Sequence, residues 1–297
     1  MKNKINVSIV GLGNVGSEYL KFFRNQKNIK NIFINDKFKN LSLIKKFKKY
    51  KRIKIENNKK NLISNSDLVT ISNYDKDHEK YIIDSIRLNK NIFVEKPMCT
   101  SFSQLANIYK ELLKKKYKKF LMSNFVLRES EILKKIYKQV KKGEFGKIYY
   151  FEGDYLYGRL NKLLNGWRGK DKKYSVMLGG GIHMIDLMVL FLGDFPIEVI
   201  SSGNKIVTKN TKFSNCDLAI SNFKFKNGAL AKISANFGCV HNHQHVIKIF
   251  GTKKTFIYDD KGARAYNKRD FNKPKFLNVK KLYKGKDCLL KKYLSQL

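Results

Sequence analysis

The chain has 297 residues, and its 62 Lys+Arg against 24 Asp+Glu leave a formal net charge of +38. That length exceeds one ordinary core and predicts two domains of about 100–200 residues each. Hydrophobic residues at 42% exclude a disordered basic tail, and four scattered cysteines (Cys99, Cys216, Cys239, Cys288) without a CxxC exclude a disulfide scaffold and a zinc ribbon.

The first part alternates strand and helix patterns. Ile5–Val10 reads as a strand, Gly11–Gly16 as a turn, and the stretch through Tyr19, Leu20, Phe22 and Phe23 as a helix. Strands follow at 31–35, 52–55, 68–72, 91–94 and 120–123. Helices are predicted over 41–50, 79–88 and 102–115. Strands separated by helices of this length pair in parallel and form a doubly wound α/β sheet.

The pattern then changes. A helix at 131–141 precedes longer strand-like segments at 147–157, 197–207, 219–225, 229–237 and 246–258. Asn227-Gly228 is a hairpin signal. Strand runs with few helices predict a second, α+β domain built on a mostly antiparallel sheet. Residues 261–281 read as loop, and 287–297 as a short helix. The expected domains are 1–122 and 123–297.

No secretory segment is expected. The basic Met1–Lys4 leads into an apolar stretch that runs straight into Gly11 and Gly13, with no small-residue cleavage site. The longest apolar run, Ile182–Leu192, contains His183 and Asp186 and is too short to span a bilayer. A soluble, cytoplasmic protein is expected. The charge suggests phosphate binding, but 54 of the basic residues are Lys and only 8 are Arg. Base-edge readout favours Arg. A/T-rich codon usage explains the Lys, Asn, Ile, Phe and Tyr abundance more simply, so nucleic acid is not the expected partner.

Gly11-Leu12-Gly13-Asn14-Val15-Gly16 is a G-x-G-x-x-G turn placed between a strand and a helix. Gly11 permits the tight turn, Gly13 lets backbone approach a pyrophosphate, and Gly16 lets helix pack on strand. The helix N-terminus adds N–H groups and partial positive charge. Asp36, 20 residues after Gly16, is placed to accept from a ribose and to repel a 2′-phosphate, which favours NAD over NADP. Lys37 and Lys39 soften that preference and leave NADP open. At the end of the fifth strand, Glu95-Lys96-Pro97 puts a lysine where ligands bind in open α/β sheets.

These residues, with Trp167-Arg168 and the Gly179-Gly180-Gly181-Ile182-His183-Met184-Ile185-Asp186 stretch, resemble the Gfo/Idh/MocA oxidoreductases over nearly the whole chain. The resemblance implies a Rossmann domain followed by a large, mostly antiparallel open sheet. It also implies hydride transfer between NAD(P) and a secondary alcohol of a sugar, nucleotide sugar or cyclitol. By the same resemblance Lys96 and His183 match the catalytic lysine and histidine. Asn14, Val15, Lys37, Ser72, Asn73, Tyr74, His78 and Glu95 join the glycines and Asp36 as cofactor neighbours, with His78 placed near the ribose. Lys96, Arg128, Trp167, Arg168, Gly179 and His183 form the expected substrate side. A homodimer or homotetramer is implied, and no metal. Family members often carry Asp four residues before the histidine, where this chain has Gly179. They also continue further after a helix like that at 287–297.

The chemistry also follows from the residues. Removing hydride from an alcohol carbon requires its proton to leave, and histidine has a suitable ordinary pKa. A neighbouring ammonium favours the alkoxide. Asp186, three residues after His183, either orients the imidazole or pairs with a base. His241, His243 and His245 alternate, so on a strand they share a face. Lining an interface or the substrate pocket is favoured for them over zinc. A non-catalytic dinucleotide sensor on the same fold is the alternative, motivated by Gly179.

Overall fold

The computed structural model describes residues 4–37, 50–269, 274–279 and 282–294. They form two compact units, residues 1–126 with 285–297 and residues 127–284.

Continuous apolar runs form the centre of the first unit. β1 (Ile5–Val10), β4 (Leu68–Ile71) and β5 (Asn91–Val94) are almost wholly buried, as strands covered on both faces must be. With β2 (Ile29–Asn35), β3 (Ile53–Ile55) and β6 (Leu121–Ser123) they pair in parallel, in the order β3-β2-β1-β4-β5-β6. The order reverses between β1 and β4, which opens a crevice at the carboxyl ends of these strands. The helices are α1 (Asn14–Phe23), α2 (Lys59–Ser64), α3 (His78–Arg87) and α4 (Phe102–Lys115). Tyr19, Leu20 and Phe23 of α1 pack on Val7, Ile9 and Ile32. Ile82 and Ile86 of α3 pack with Val69, Ile71 and Ile92 in a separate cluster. The predicted helix at 41–50 and Lys39 fall almost entirely outside the described residues.

The last helix of the chain, Cys288–Leu294, belongs to this unit too. Its Leu289, Leu290 and Leu294 are buried in the same cluster as Tyr19 and Phe23. Its apolar residues identify a helix with one buried side, but only the fold shows which core receives it.

The second unit is an eight-stranded sheet among the described residues, ordered β14-β13-β12-β11-β7-β10-β9-β8. Its strands are β7 (Ile148–Leu156), β8 (Glu198–Asn204), β9 (Leu218–Lys224), β10 (Leu230–Asn236), β11 (Gln244–Gly251), β12 (Thr255–Asp259), β13 (Gly262–Tyr266) and β14 (Lys275–Leu277). All pairings are antiparallel except β7 with β10. One face is covered by α5 (Glu131–Lys141) and α8 (Ile182–Leu192), with short α6 (Leu160–Leu164) and α7 (Trp167–Lys170) between them in the chain. Met184, Leu187, Met188 and Phe191 of α8 meet Phe151, Ile233 and Ile247 of the sheet. Gly153 allows this closeness, because a Cβ there would lie 2.8 Å from Met184 Cβ. The Asn227-Gly228 hairpin forms as expected, with Gly228 at φ +83°.

Three expectations change. The run 246–258 is two strands, because Gly251 N–H donates to Lys254 O at 2.8 Å and closes a turn at Thr252-Lys253. The run 261–281 contains β13 and β14 rather than loop alone. The small Ala263 and Ala265 gave little strand signal. Arg264 secures β13 by a fork onto Asp259 at 2.8 and 2.6 Å. Finally, β11 begins at Gln244, so His241 and His243 precede the strand and only His245 lies on it.

No described helix is long and apolar enough to cross a membrane. Phe151 has no exposed surface and stacks on Phe191 at 6.3 Å. Phe151→Ala is expected to destabilise the protein by about 3–5 kcal/mol in urea denaturation. A loss below about 1 kcal/mol would show that this face of the sheet is not the core described.

Candidate active site

The glycine turn is closed by backbone contact. A side chain on Gly16 would overlap the Gly11 carbonyl oxygen and come within 2.8 Å of Ser72 Oγ. Gly11 has φ +87°, and a Cβ there would lie 2.7 Å from the backbone of Asn73. Nothing lies within 4 Å of a Cβ on Gly13, so the middle of the turn faces open space. No side chain caps α1, whose first residues are Asn14 and Val15. The turn therefore offers backbone N–H groups and room for an anion at a helix start.

Ser72 serves the turn itself. Its hydroxyl lies 3.1 Å from Val10 O and donates to Gly11 O at 2.9 Å. Asn73 is next, and its Oδ1 is buried with no hydrogen-bond partner among the described residues. That atom is an acceptor placed beside the turn. Tyr74 leads into a short 3₁₀ turn over Asp75–Asp77. Asp36 stands half-buried just past β2, with exposed Lys37 after it. The end of β2 is held by Asn35 Nδ2, which donates to Glu56 O at 2.8 Å. These features fit a dinucleotide: a phosphate cradle, a free acceptor and an acidic residue at the second strand.

Two expected cofactor neighbours have other work. His78 has no exposed surface; its Nδ1 lies 2.8 Å from Pro97 O and its Nε2 3.2 Å from Asn73 O. It ties the ends of β4 and β5 together and offers no ring nitrogen to a ribose. Burial pulls its pKa below the usual histidine value, against the pull of the two carbonyls. Glu95 turns its carboxyl inward. Tyr19 donates its hydroxyl to Glu95 Oε1, and Asn124 Nδ2 donates to the same oxygen at 2.6 Å. Asn124 Nδ2 also reaches Lys286 O at 2.8 Å, which fastens the C-terminal segment beneath the strand end. Burial raises the Glu95 pKa, although Tyr19, Asn124, Lys96 and His78 all oppose it. Sequence reasoning missed Tyr19 and Asn124. Both read as ordinary element residues, and only the fold brings them to Glu95. Lys96 follows on this fixed base, half-buried at the end of β5.

In the second unit, residues Met177–Gly181 form a π turn that leads into α8. His183 is nearly buried and lies flat against Tyr155, ring centres 6.1 Å apart. His245 and His243 meet the same tyrosine edge-on at 5.2 and 5.1 Å. His183 and His245 are 6.2 Å apart. His241 points elsewhere, its Nε2 3.2 Å from Asp260. No group of His, Cys, Asp or Glu among the described residues has the arrangement of a metal site. Trp167 meets Tyr174 edge-on at 5.8 Å, and the Arg168 guanidinium lies 4.8 Å over Trp167.

Asp186 takes the ion-pair alternative. Arg128 forks onto it, with Nε 2.9 Å from Oδ2 and Nη2 2.6 Å from Oδ1. This pairing displaces the readings of Asp186 as the orienter of His183 and of Arg128 as a substrate anchor. The residues needed for that pair stand 58 positions apart, beyond any local pattern.

Residues 5–125 match the family model described as the oxidoreductase family with an NAD-binding Rossmann fold. Residues 133–257 match the GFO/IDH/MocA C-terminal domain. The chain belongs to the GFO/IDH/MocA oxidoreductase family. It is 23% identical over 203 residues to a myo-inositol 2-dehydrogenase of Thermotoga maritima, covering 66% of this chain and 57% of that protein. The chain thus spans little more than half of that relative's length. It is also 23% identical over 266 residues to a 2,7-anhydro-N-acetylneuraminate hydratase of Escherichia coli, covering 86% of this chain and 68% of that one. The fold matches the crystal structure of a myo-inositol 2-dehydrogenase from Lactobacillus plantarum with TM-score 0.77 at 19% identity, covering 88% of this chain and 81% of that one. Within this GFO/IDH/MocA chain, the Glu95 knot supports the lysine of the strand-end motif.

The knot has a pH signature. A carboxyl whose pKa is raised by folding contributes stability at low pH and loses it as pH rises through the raised value. Both hydrogen bonds fall on one oxygen, which a glutamine carbonyl reproduces. Glu95→Gln is therefore expected to gain stability relative to the parent between about pH 4 and about pH 8. Urea denaturation at the two ends of that range checks this. A parent that gains on the variant toward neutral pH would contradict it.

Proposed function

We propose that this protein is an NAD(H)-dependent oxidoreductase. It moves a hydride between nicotinamide and a secondary alcohol or ketone of a sugar, nucleotide sugar or cyclitol. The observation that carries the reading is the phosphate cradle. Gly16 and Gly11 admit no side chain, Gly13 faces open space, and Asn73 Oδ1 lacks a partner.

When bound, the nicotinamide accepts or supplies the hydride. The chain's own residues do the rest. The backbone N–H groups at the start of α1 hold the pyrophosphate. Asp36 accepts from the adenosine ribose and disfavours a 2′-phosphate, so NAD is preferred over NADP. Lys96 presents an ammonium at the end of β5, where it stabilises a developing alkoxide. His183 takes the hydroxyl proton in oxidation and returns it in reduction. Trp167 provides an aromatic face for sugar C–H groups.

A homodimer or homotetramer through the outer face of the large sheet belongs to the same reading. Glu152 on that face takes Lys232 at 2.9 Å and Lys248 at 3.3 Å, and Tyr150 meets Phe250 at 5.7 Å. These half-buried pairs and rings suit a covered surface.

Two substitutions test the reading on a panel of cyclitols, hexoses and nucleotide sugars. Lys96→Met is expected to lower kcat by about 10²–10⁴-fold while NADH still binds. Asp36→Ala is expected to weaken NAD binding and narrow the gap to NADP. Undiminished turnover in Lys96→Met would remove the catalytic assignment. Absence of NADH binding in the parent would remove the reading itself.

A further inference from the structure

Helix α4 has two unlike sides. Its inner side is fixed. Ile108 and Glu111 are buried, and Glu111 accepts from Arg87 Nη2 of α3 at 3.1 Å. Asn107 Nδ2 donates to Glu79 Oε1 at 2.9 Å, and Gln104 Nε2 to Lys76 O at 3.2 Å. At helical spacing the other flank carries Phe102, Leu105, Tyr109 and Leu113, which run about 16 Å along the helix. These four are 86, 46, 61 and 61% exposed. No other described helix exposes a large apolar side chain. The flank is preformed, because Ser101 caps the helix start by accepting from Gln104 N at 3.2 Å.

The charge of the helix and its exit is one-sided. Lys110, Lys114, Lys115, Lys116, Lys118 and Lys119 are all exposed. Between Glu95 and Glu129 the sequence holds one carboxylate, Glu111, and that one is turned inward onto Arg87. Lysines alone distinguish nothing here, since α5 also exposes Lys134, Lys135 and Lys138. Their combination with an apolar stripe is confined to α4. The occupant of such a flank must be apolar and anionic together. A second copy is disfavoured, because two such flanks would set lysine against lysine. A partner protein would have to supply a groove with an apolar floor and acidic walls. An anionic bilayer offers both properties at every point of its surface. Rings and leucines enter its headgroup boundary while lysine stems lie flat and place their ammonium groups among the phosphates.

We propose that α4 attaches this protein reversibly to the surface of an anionic lipid bilayer, through Phe102, Leu105, Tyr109 and Leu113 with the lysines beside them. The attachment is peripheral and does not depend on the dehydrogenase reading.

The test is flotation of the full chain with vesicles of phosphatidylcholine alone and of an equimolar mixture with phosphatidylserine. Binding to the mixture is expected to be about tenfold or more tighter, as two lysines at an anionic surface imply, and to weaken with added salt. Phe102→Ser with Leu113→Ser keeps the net charge and is expected to weaken it about tenfold or more. Both side chains are exposed, so this variant should melt close to the parent; Leu105→Ser with Tyr109→Ser is a second pair of the same kind. Lys110→Gln with Lys114→Gln is expected to weaken binding as well. Lys135→Gln with Lys138→Gln, the same loss of charge on α5, is expected to leave it near the parent value. No binding to the mixture overturns the inference, as does equal binding to phosphatidylcholine alone. Binding unmoved by both apolar pairs, or weakened equally by the α5 pair, assigns it to net charge and overturns it too. Without vesicle binding, a dimer abolished by the apolar pairs assigns the flank to a second copy, and polyglutamate binding abolished by them assigns it to an acidic protein.

Discussion

The first unit depends on how closely α1 approaches the end of β1. At Gly16 the helix backbone meets the Gly11 carbonyl with no room for one methyl group. That contact aims the helix start at the crevice where strand order reverses. It also leaves Ser72 close enough to hold the turn from the neighbouring strand. Gly11 in turn approaches the backbone of Asn73, so turn and strand end form one surface. A phosphate-binding turn of this kind is a property of backbone proximity, and Asn73 is brought beside it by the same contact.

Below this surface lies a second layer of fixed polar groups. His78 joins Asn73 O to Pro97 O, and the Glu95 knot joins Tyr19, Asn124 and the carbonyl of Lys286. Lys96 sits between these two arrangements in the chain. Burying a carboxyl and an imidazole is costly. Here the cost is offset by multiple hydrogen bonds, and the return is a strand end with little freedom. Preorganisation of that kind is what a positioned ammonium requires.

In the second unit the corresponding role falls to aromatic rings. Tyr155 orders His183, His243 and His245, while Trp167 and Tyr174 carry Arg168. Arg128 removes the helix carboxylate from this environment by pairing with it. At position 179 a side chain is excluded by the Tyr174 hydroxyl.

The parallel sheet and its glycine turn were legible because buried parallel strands read as apolar runs and because Gly-x-Gly-x-x-Gly recurs at a set place in the chain. Helices 102–115 and 131–141 and strands 5–10 and 91–94 agree with the fold to the residue, since propensity, capping and burial all coincide there. Lys96, His183 and Gly179 were visible through motifs. The partners of these residues were not. Glu95 with Tyr19 and Asn124, His78 with two carbonyls, Arg128 with Asp186, and Gly179 with Tyr174 are joined mostly across long stretches of chain. Strands β13 and β14 were hidden for a related reason, being short, small-residue segments held by sheet pairing. By itself, then, the sequence determined the local elements and the motifs that nominate residues for chemistry. The tertiary structure alone decided which side chains face each other, because burial and hydrogen bonding depend on distance in space, not along the chain.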